Sequence, residues 1–291
     1  MLYMIENECL RVTVSDVGAQ MMSIKTQRDG HEYLWQADPT YWTGRAYNLF
    51  PTVGRMYKGE YEYQGEIYRM PLHGLIRKSP MQAKIVGRNS VTFTHTENET
   101  TLKAYPFRFC YKIVYTLAGN HINMHVLVKN TDCKAIHFGV GGHPGFFIPM
   151  EDGLAFEDYY VYFEDAGEIR HSLMSDDVLY TGESPLYPLP GNRLALRHSL
   201  FPVDALVLEG TGGKAAIQTD KGSRRVILSY PDMNYLGIWH KGGTDAPFIC
   251  LEPWSILPAS VGKRDDFETK PDMTHLPAGE IYENYMDLEI I

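Results

Sequence analysis

The stretch YKIVYTLAGNHINMHVLVKNT, residues 111–131, constrains the fold of this 291-residue chain more than any other. Tyr111, Ile113, Tyr115 and Leu117 alternate with more polar neighbours, Gly119-Asn120 interrupts, and Ile122, Met124, Val126 and Val128 resume the same beat. A period of two places one set of side chains on one face of a strand, and a Gly-Asn pair between two such runs marks a hairpin. A hairpin with one long apolar face is not stable alone in water and must bury that face against another layer.

The device recurs. CLRVTVSDVGAQMMSIKT sets Leu10, Val12 and Val14 on one face, turns over Asp16 to Gly18, and continues with Met22 and Ile24. YEYQGEIYRM reads as a short hairpin around Gln64-Gly65, and KAAIQTDKGSRRVILSY as another around Asp220-Lys221-Gly222. FICLEPW and ENYMDLEII add two strands. Helical periodicity is absent, and the 20 Tyr and 12 Phe suit a pleated, half-buried surface. Strands with no helices to cover them must pack sheet on sheet, so the expected fold is all-β, a large antiparallel sandwich. Residues 150–200, rich in Gly, Pro, Asp and Tyr, read as long loops with short strands inside the same unit. A single domain over residues 1–291 is expected.

The opening MLYMIENECLRV lacks the basic and apolar regions of a signal peptide, and no later run approaches the ~18 apolar residues of a spanning helix. A soluble, cytoplasmic protein with no membrane partner is expected. The net charge of −9 is spread over mixed charges, which disfavours nucleic acid and leaves a small, locally recognised ligand. Cys9, Cys110, Cys133 and Cys250 are far apart with no metal or redox spacing, and read as reduced thiols. No phosphate-cradling Gly-Lys loop or zinc spacing appears, so neither metal nor cofactor is expected.

A few polar residues stand out from this pattern. His143 lies in HFGVGGHPGFF, where glycines permit close approach and Pro144 fixes the next residue, a segment that aims a side chain. His73 stands between a leucine and a glycine in PLHGLIRKS, with Arg77 four residues on; an isolated His-Gly is ordinarily only a turn. Arg55 follows a glycine in FPTVGRMYKGEY, where solvation is the plain reading. In APFICLEPW, Phe248, Cys250 and Glu252 share one face of an apolar strand, so a buried Glu252 needs hydrogen bonds, an ion pair or a function. Asp204 precedes the apolar run of FPVDALVLEG, the ordinary place for a turn cap.

Taken together, two histidines, a carboxylate and an arginine at turns and strand mouths of one all-β chain resemble the aldose 1-epimerase (galactose mutarotase-like) family. The resemblance runs in order through DVGAQMMSIK, VGRMYKGEYEYQGEIYRMPLHG, GGHPGFF, FPVDALVLEG, CLEPW and LPAGEIYENYMDLEI. It implies a β-supersandwich whose concave face holds a pyranose, with Glu252 as base, His143 as acid, and His73, Arg55 and Asp204 on the substrate. HGLIRKS and LEPWSILP depart from the galactose-specific pattern and look closer to the bacterial lactose-operon-type branch and to hexose 6-phosphate mutarotases. Arg77 then reads as either a phosphate ligand or a structural ion pair.

The implied activity is interconversion of the α and β anomers of a hexopyranose. Its partner is a small sugar, free or phosphorylated, and the chain is a monomer or homodimer. A proton leaves the C1 hydroxyl and another reaches the ring oxygen, the ring opens, C1 rotates, and the ring recloses. Glu252 is ionised at its reference pKa of about 4.3, and a nearby carboxylate is expected to hold His143 at or above its reference of about 6.5. Two other classes stay open: a non-catalytic sugar-binding β-sandwich, and a glycoside hydrolase using Asp204 with Glu252.

Overall fold

The computed structural model describes residues 1–202 and 204–291. The long hairpin forms as the alternation demands. Phe109–Ala118 and His121–Asn130 pair antiparallel with Tyr115 opposite Met124, and Gly119 takes a φ of +57° at the turn. All eight alternating apolar residues of the hairpin are buried. Burying each of the larger ones contributes about 1.5–3 kcal/mol relative to exposure. The hairpin lies inside a nine-stranded antiparallel sheet. Its order is Arg193–Ala195, Tyr159–Tyr162, Lys214–Thr219, Val226–Ser229, Ile281–Ile290, His121–Asn130, Phe109–Ala118, Ser90–Thr96 and Gln82–Ile85.

A six-stranded antiparallel sheet packs against it, in the order Arg170–His171, Leu206–Glu209, Tyr235–Trp239, Phe248–Trp254, Gly141–Phe147 and Ala46–Leu49. Met124, Leu228 and Met286 of the larger sheet meet Gly142, Pro144 and Pro253 of the smaller one. A Cβ on Gly142 would sit 3.5 Å from the Met286 sulfur, which shows how closely the layers approach. The pleat therefore sends Ile249, Leu251 and Pro253 into the core, and Phe248, Cys250, Glu252 and Trp254 to the opposite face. Loops cover that face too, so the whole Phe248–Trp254 strand is buried. This is the all-β, antiparallel sheet-on-sheet packing that the sequence pattern called for, and the β-supersandwich that the resemblance implied. Among the described residues no helix is long and apolar enough to cross a membrane.

Two details differ from expectation. In the first strand pair the buried methionine is Met21, not Met22, because the register shifts between Thr13 and Val14 and changes the phase of the second strand. A short helix, Glu99–Ala104, forms where no periodicity announced one; the Asn98 side chain accepts from the Thr100 and Thr101 N–H groups and caps it. The irregular 150–200 region holds short strands between long loops, as its composition suggested, and they divide between the sheets, Tyr159–Tyr162 and Arg193–Ala195 joining the larger and Arg170–His171 the smaller.

Candidate active site

The outward face of the six-stranded sheet forms the floor of a cavity of about 410 Å³. His143 and Glu252 lie at its centre. The pairs Gly145 with Cys250 and Gly141 with Trp254 set the register of their two strands, which brings His143 opposite Glu252. His143 Nε2 lies 3.4 Å from Glu252 Oε1, with both side chains buried. The GGHPGFF segment is thus a regular inner strand rather than a turn, contrary to the sequence reading. Its glycines admit neighbouring side chains: a Cβ on Gly145 would stand 3.0 Å from the Trp42 ring and 3.1 Å from Cys250 Sγ.

Aromatic rings fix the imidazole. Trp42 stacks on His143 at 4.8 Å between centroids and 18° between planes, and Tyr47 and Trp239 meet it edge-on. His73 approaches it at 5.4 Å, near perpendicular. His73 itself is held by a reciprocal pair of bonds with Gly54: its own N–H donates to the Gly54 carbonyl at 2.9 Å, and the Gly54 N–H donates to His73 Nδ1 at 3.2 Å. The neutral ring therefore carries its proton on Nε2. His73 has a φ of +61°, and Gly74 after it has +72° with space for no side chain, since a Cβ there would lie 2.3 Å from the Phe50 carbonyl oxygen. Burial, with Arg77 and Arg55 nearby, pushes the His73 pKa down to about 3, so it is neutral at physiological pH.

Arg55, exposed, and Arg77, partly buried, reach the same cavity. The Arg77 guanidinium sits 5.4 Å from the centre of the Tyr47 ring, its Nε is buried with no hydrogen-bond partner, and Tyr47 rather than a carboxylate is the group that favours its charge. The structural ion pair left open for Arg77 is absent among the described residues. Asp204 does accept from the Ala205 N–H at 2.9 Å, as a turn cap would, yet it also lines the cavity. Burial raises its pKa, while the Ala205 N–H, Arg55 and the Trp239 indole draw it back.

All six residues singled out from the sequence, Glu252, His143, His73, Arg55, Asp204 and Arg77, line this one cavity. The electrostatic expectation for the central pair is corrected. Burial, reinforced by Asp204, pushes Glu252 well above the usual carboxylate range, and burial, reinforced by His73 and Arg77, pushes His143 well below the usual imidazole range. Loss of hydration is the largest influence on both groups, because burial penalises the charged form of each. Both shifts run towards the neutral forms, a protonated carboxyl beside an uncharged imidazole.

Trp42, Tyr47, Trp239 and Lys241 also line the cavity and were not anticipated. Trp239 follows a two-residue beat from Gly237, and its pairing opposite Cys250 puts it beside Glu252, but that register is not written in either strand alone. Trp42 comes from the Pro39–Gly44 loop, where nothing local announces a contact with His143.

A family model described as aldose 1-epimerase matches residues 1–289. The chain is 32% identical over 299 residues to protein LacX of Lactococcus lactis, a match covering 99% of this chain and 98% of that one. A galactose mutarotase related enzyme from Lactobacillus acidophilus superposes with a TM-score of 0.95 at 33% identity, covering 100% of this chain and 97% of that structure. A galactose mutarotase-like protein from Lactobacillus casei gives 0.95 at 29%, covering 100% of both. With a family model spanning nearly its whole length and a relative 32% identical over 99% of it, this chain belongs to the aldose 1-epimerase family of sugar isomerases.

Proposed function

We propose that the protein is a mutarotase that interconverts the α and β anomers of a hexopyranose, with Glu252 as base and His143 as acid. The observation that carries this is their placement 3.4 Å apart across two adjacent strands at the cavity floor. In a cyclic hemiacetal the C1 hydroxyl and the ring oxygen are bonded to the same carbon, so a base and an acid serving them must lie side by side. Glu252 takes the hydroxyl proton while His143 protonates the ring oxygen; the C1–O5 bond breaks, leaving an aldehyde at C1 and a hydroxyl at C5. The pair holds one proton throughout: the step starts from carboxylate and imidazolium, the arrangement that burial disfavours in the empty cavity and that the sugar's hydroxyls must stabilise, and it ends with the proton on the carboxyl group. Rotation about C1–C2 and return of both protons recloses the ring on the other face.

His73, neutral with Nε2–H as donor, suits a sugar oxygen, and Arg55 and Asp204 suit ring hydroxyls. Trp42 and Trp239 offer flat apolar faces to the sugar ring. Each positioned proton-transfer group contributes on the order of a hundred- to ten-thousandfold. The test is polarimetry on freshly dissolved α-glucose and α-galactose: catalytic acceleration supports the reading, and sugar binding without acceleration refutes it in favour of a non-catalytic sugar-binding module. Release of reducing sugar from a β-galactoside would instead point to a hydrolase using Asp204 and Glu252.

One observation favours a hexose 6-phosphate as substrate. A partly buried guanidinium without a carboxylate partner is suited to an anionic group brought by a ligand, and its planar fork matches phosphate. Arg55 and Lys241 add two further cations to the same cavity.

A further inference from the structure

Beneath the acid–base pair lies a third side chain that the reaction does not use. Cys250 precedes Glu252 by two residues on the same face of the strand, and it stands opposite Gly145, whose missing side chain leaves room for the sulfur. The thiol is fully buried and does not line the cavity, whereas His143 and Glu252 do. One ligand atom each from His143, Cys250 and Glu252 lie within 4.8 Å of one another.

We propose that His143, Cys250 and Glu252 form a capture site for a thiophilic divalent cation of the zinc class, and that the bound ion inhibits the enzyme. The donor set, imidazole nitrogen, thiolate sulfur and carboxylate oxygen, is the set that zinc prefers. Around a tetrahedral ion with bonds of about 2.0–2.3 Å, ligand atoms stand roughly 3.3–3.8 Å apart. The imidazole and carboxylate are already 3.4 Å apart, and the widest separation of 4.8 Å closes by about 1 Å. Turning the cysteine or glutamate side chain provides that movement. Binding displaces two protons to solvent, one from the thiol and the one held by the His143–Glu252 pair. The thiolate and the Glu252 carboxylate offset the ion's two charges, which matters because Arg55 and Arg77 line the same cavity and oppose a bare cation. The fourth position of the tetrahedron faces the cavity, where water completes the shell.

The inhibition rests on the acid–base reading above, since the ion occupies both groups; the binding does not. The two are therefore tested separately. The reduced protein is titrated with cadmium chloride, and the ultraviolet thiolate-to-cadmium charge-transfer band is compared between wild type, Cys250→Ser and Cys250→Ala. Cys9, Cys110 and Cys133 supply the same background in all three. The expected result is one equivalent of band lost in both variants and displaced by zinc chloride in the wild type. Zinc inhibition of mutarotation should weaken by about tenfold or more in the variants, since even outer-shell partners of a metal are worth 10–100-fold. Zinc-free activity should persist in both. Equal cadmium bands in wild type and variants overturn the site, and a band that differs alongside equal zinc inhibition constants overturns its inhibitory role. A protein inactive on every sugar but showing the Cys250-dependent band would retain the site and reject the mutarotase reading.

Discussion

Glu252→Gln should move two measurements in opposite directions. The substitution removes a base while keeping size and hydrogen-bonding capacity, so kcat should fall a hundred- to ten-thousandfold, equivalent to about 2.7–5.5 kcal/mol of transition-state stabilisation. Stability should rise, and the rise should depend on pH. The residue is 2% exposed and its pKa is raised by burial and then by Asp204. A carboxyl group raised in the folded state contributes stability that is fully present below its unfolded pKa of about 4.3 and is lost as pH climbs through the folded value. Within that window this one carboxyl group costs the wild type about 1.4 kcal/mol for each pH unit, and glutamine, which does not titrate, costs none. The gap between variant and wild type should therefore widen as pH rises from the unfolded value towards the folded one. Urea midpoints taken across that range, with polarimetry on the same preparations, measure both effects. A pH-independent gap would refute the claim that burial strains this carboxylate, and more than about a tenth of wild-type kcat would refute its role as base.

His143→Asn should lose kcat to a similar degree, and the double variant with Glu252→Gln should be little worse than either single one, because the two act in one transition state; multiplicative losses in steady-state assays would contradict this. Arg77→Ala should lower kcat/KM for galactose 6-phosphate more than for galactose, and an unchanged ratio between the two sugars would assign Arg77 a structural role. Gly237→Ala would put a Cβ 2.9 Å from the Trp254 ring and 3.3 Å from Glu252 Cβ. Such overpacking should cost about 1–3 kcal/mol of stability and shift the base enough to reduce kcat at least about tenfold. A variant that is destabilised yet fully active would show that the base tolerates displacement.

The fold was legible because its longest strands are half-exposed: Tyr111 to Val128 must alternate when one side meets core and the other solvent. The inner strands lack that contrast. GGHPGFF and FICLEPW are buried on both faces, so periodicity says nothing of their direction, and the glycines of the first looked like a turn when they are spaces for Trp42 and Cys250. Glu252 could still be found, since a carboxylate amid apolar residues demands a reason. Its effect on His143 could not, because the balance between attraction and lost hydration depends on whether water reaches the pair. Trp42 and Lys241 come from loops whose position is fixed by the sheets beneath them, not by their own residues. The helix at Glu99–Ala104 escaped because six residues are too few to display a period, although Asn98 with Thr101 carried its capping signal.

The position of Ile281–Ile290 has a consequence for how the molecule is made. This strand, last in the sequence, lies between Val226–Ser229 and His121–Asn130 in the nine-stranded sheet and bonds to both. While the chain is being synthesised, the two halves of that sheet each present an open hydrogen-bonding edge with nothing to join them. The long hairpin must wait for about 150 more residues to leave the ribosome, roughly ten seconds or more at ordinary rates of synthesis. Unpaired edges of this kind recruit other chains. A nascent chain stopped short of Ile281 is therefore expected to collect in the insoluble fraction, and recovery of a soluble, compact product would show that the gap can close without its last strand.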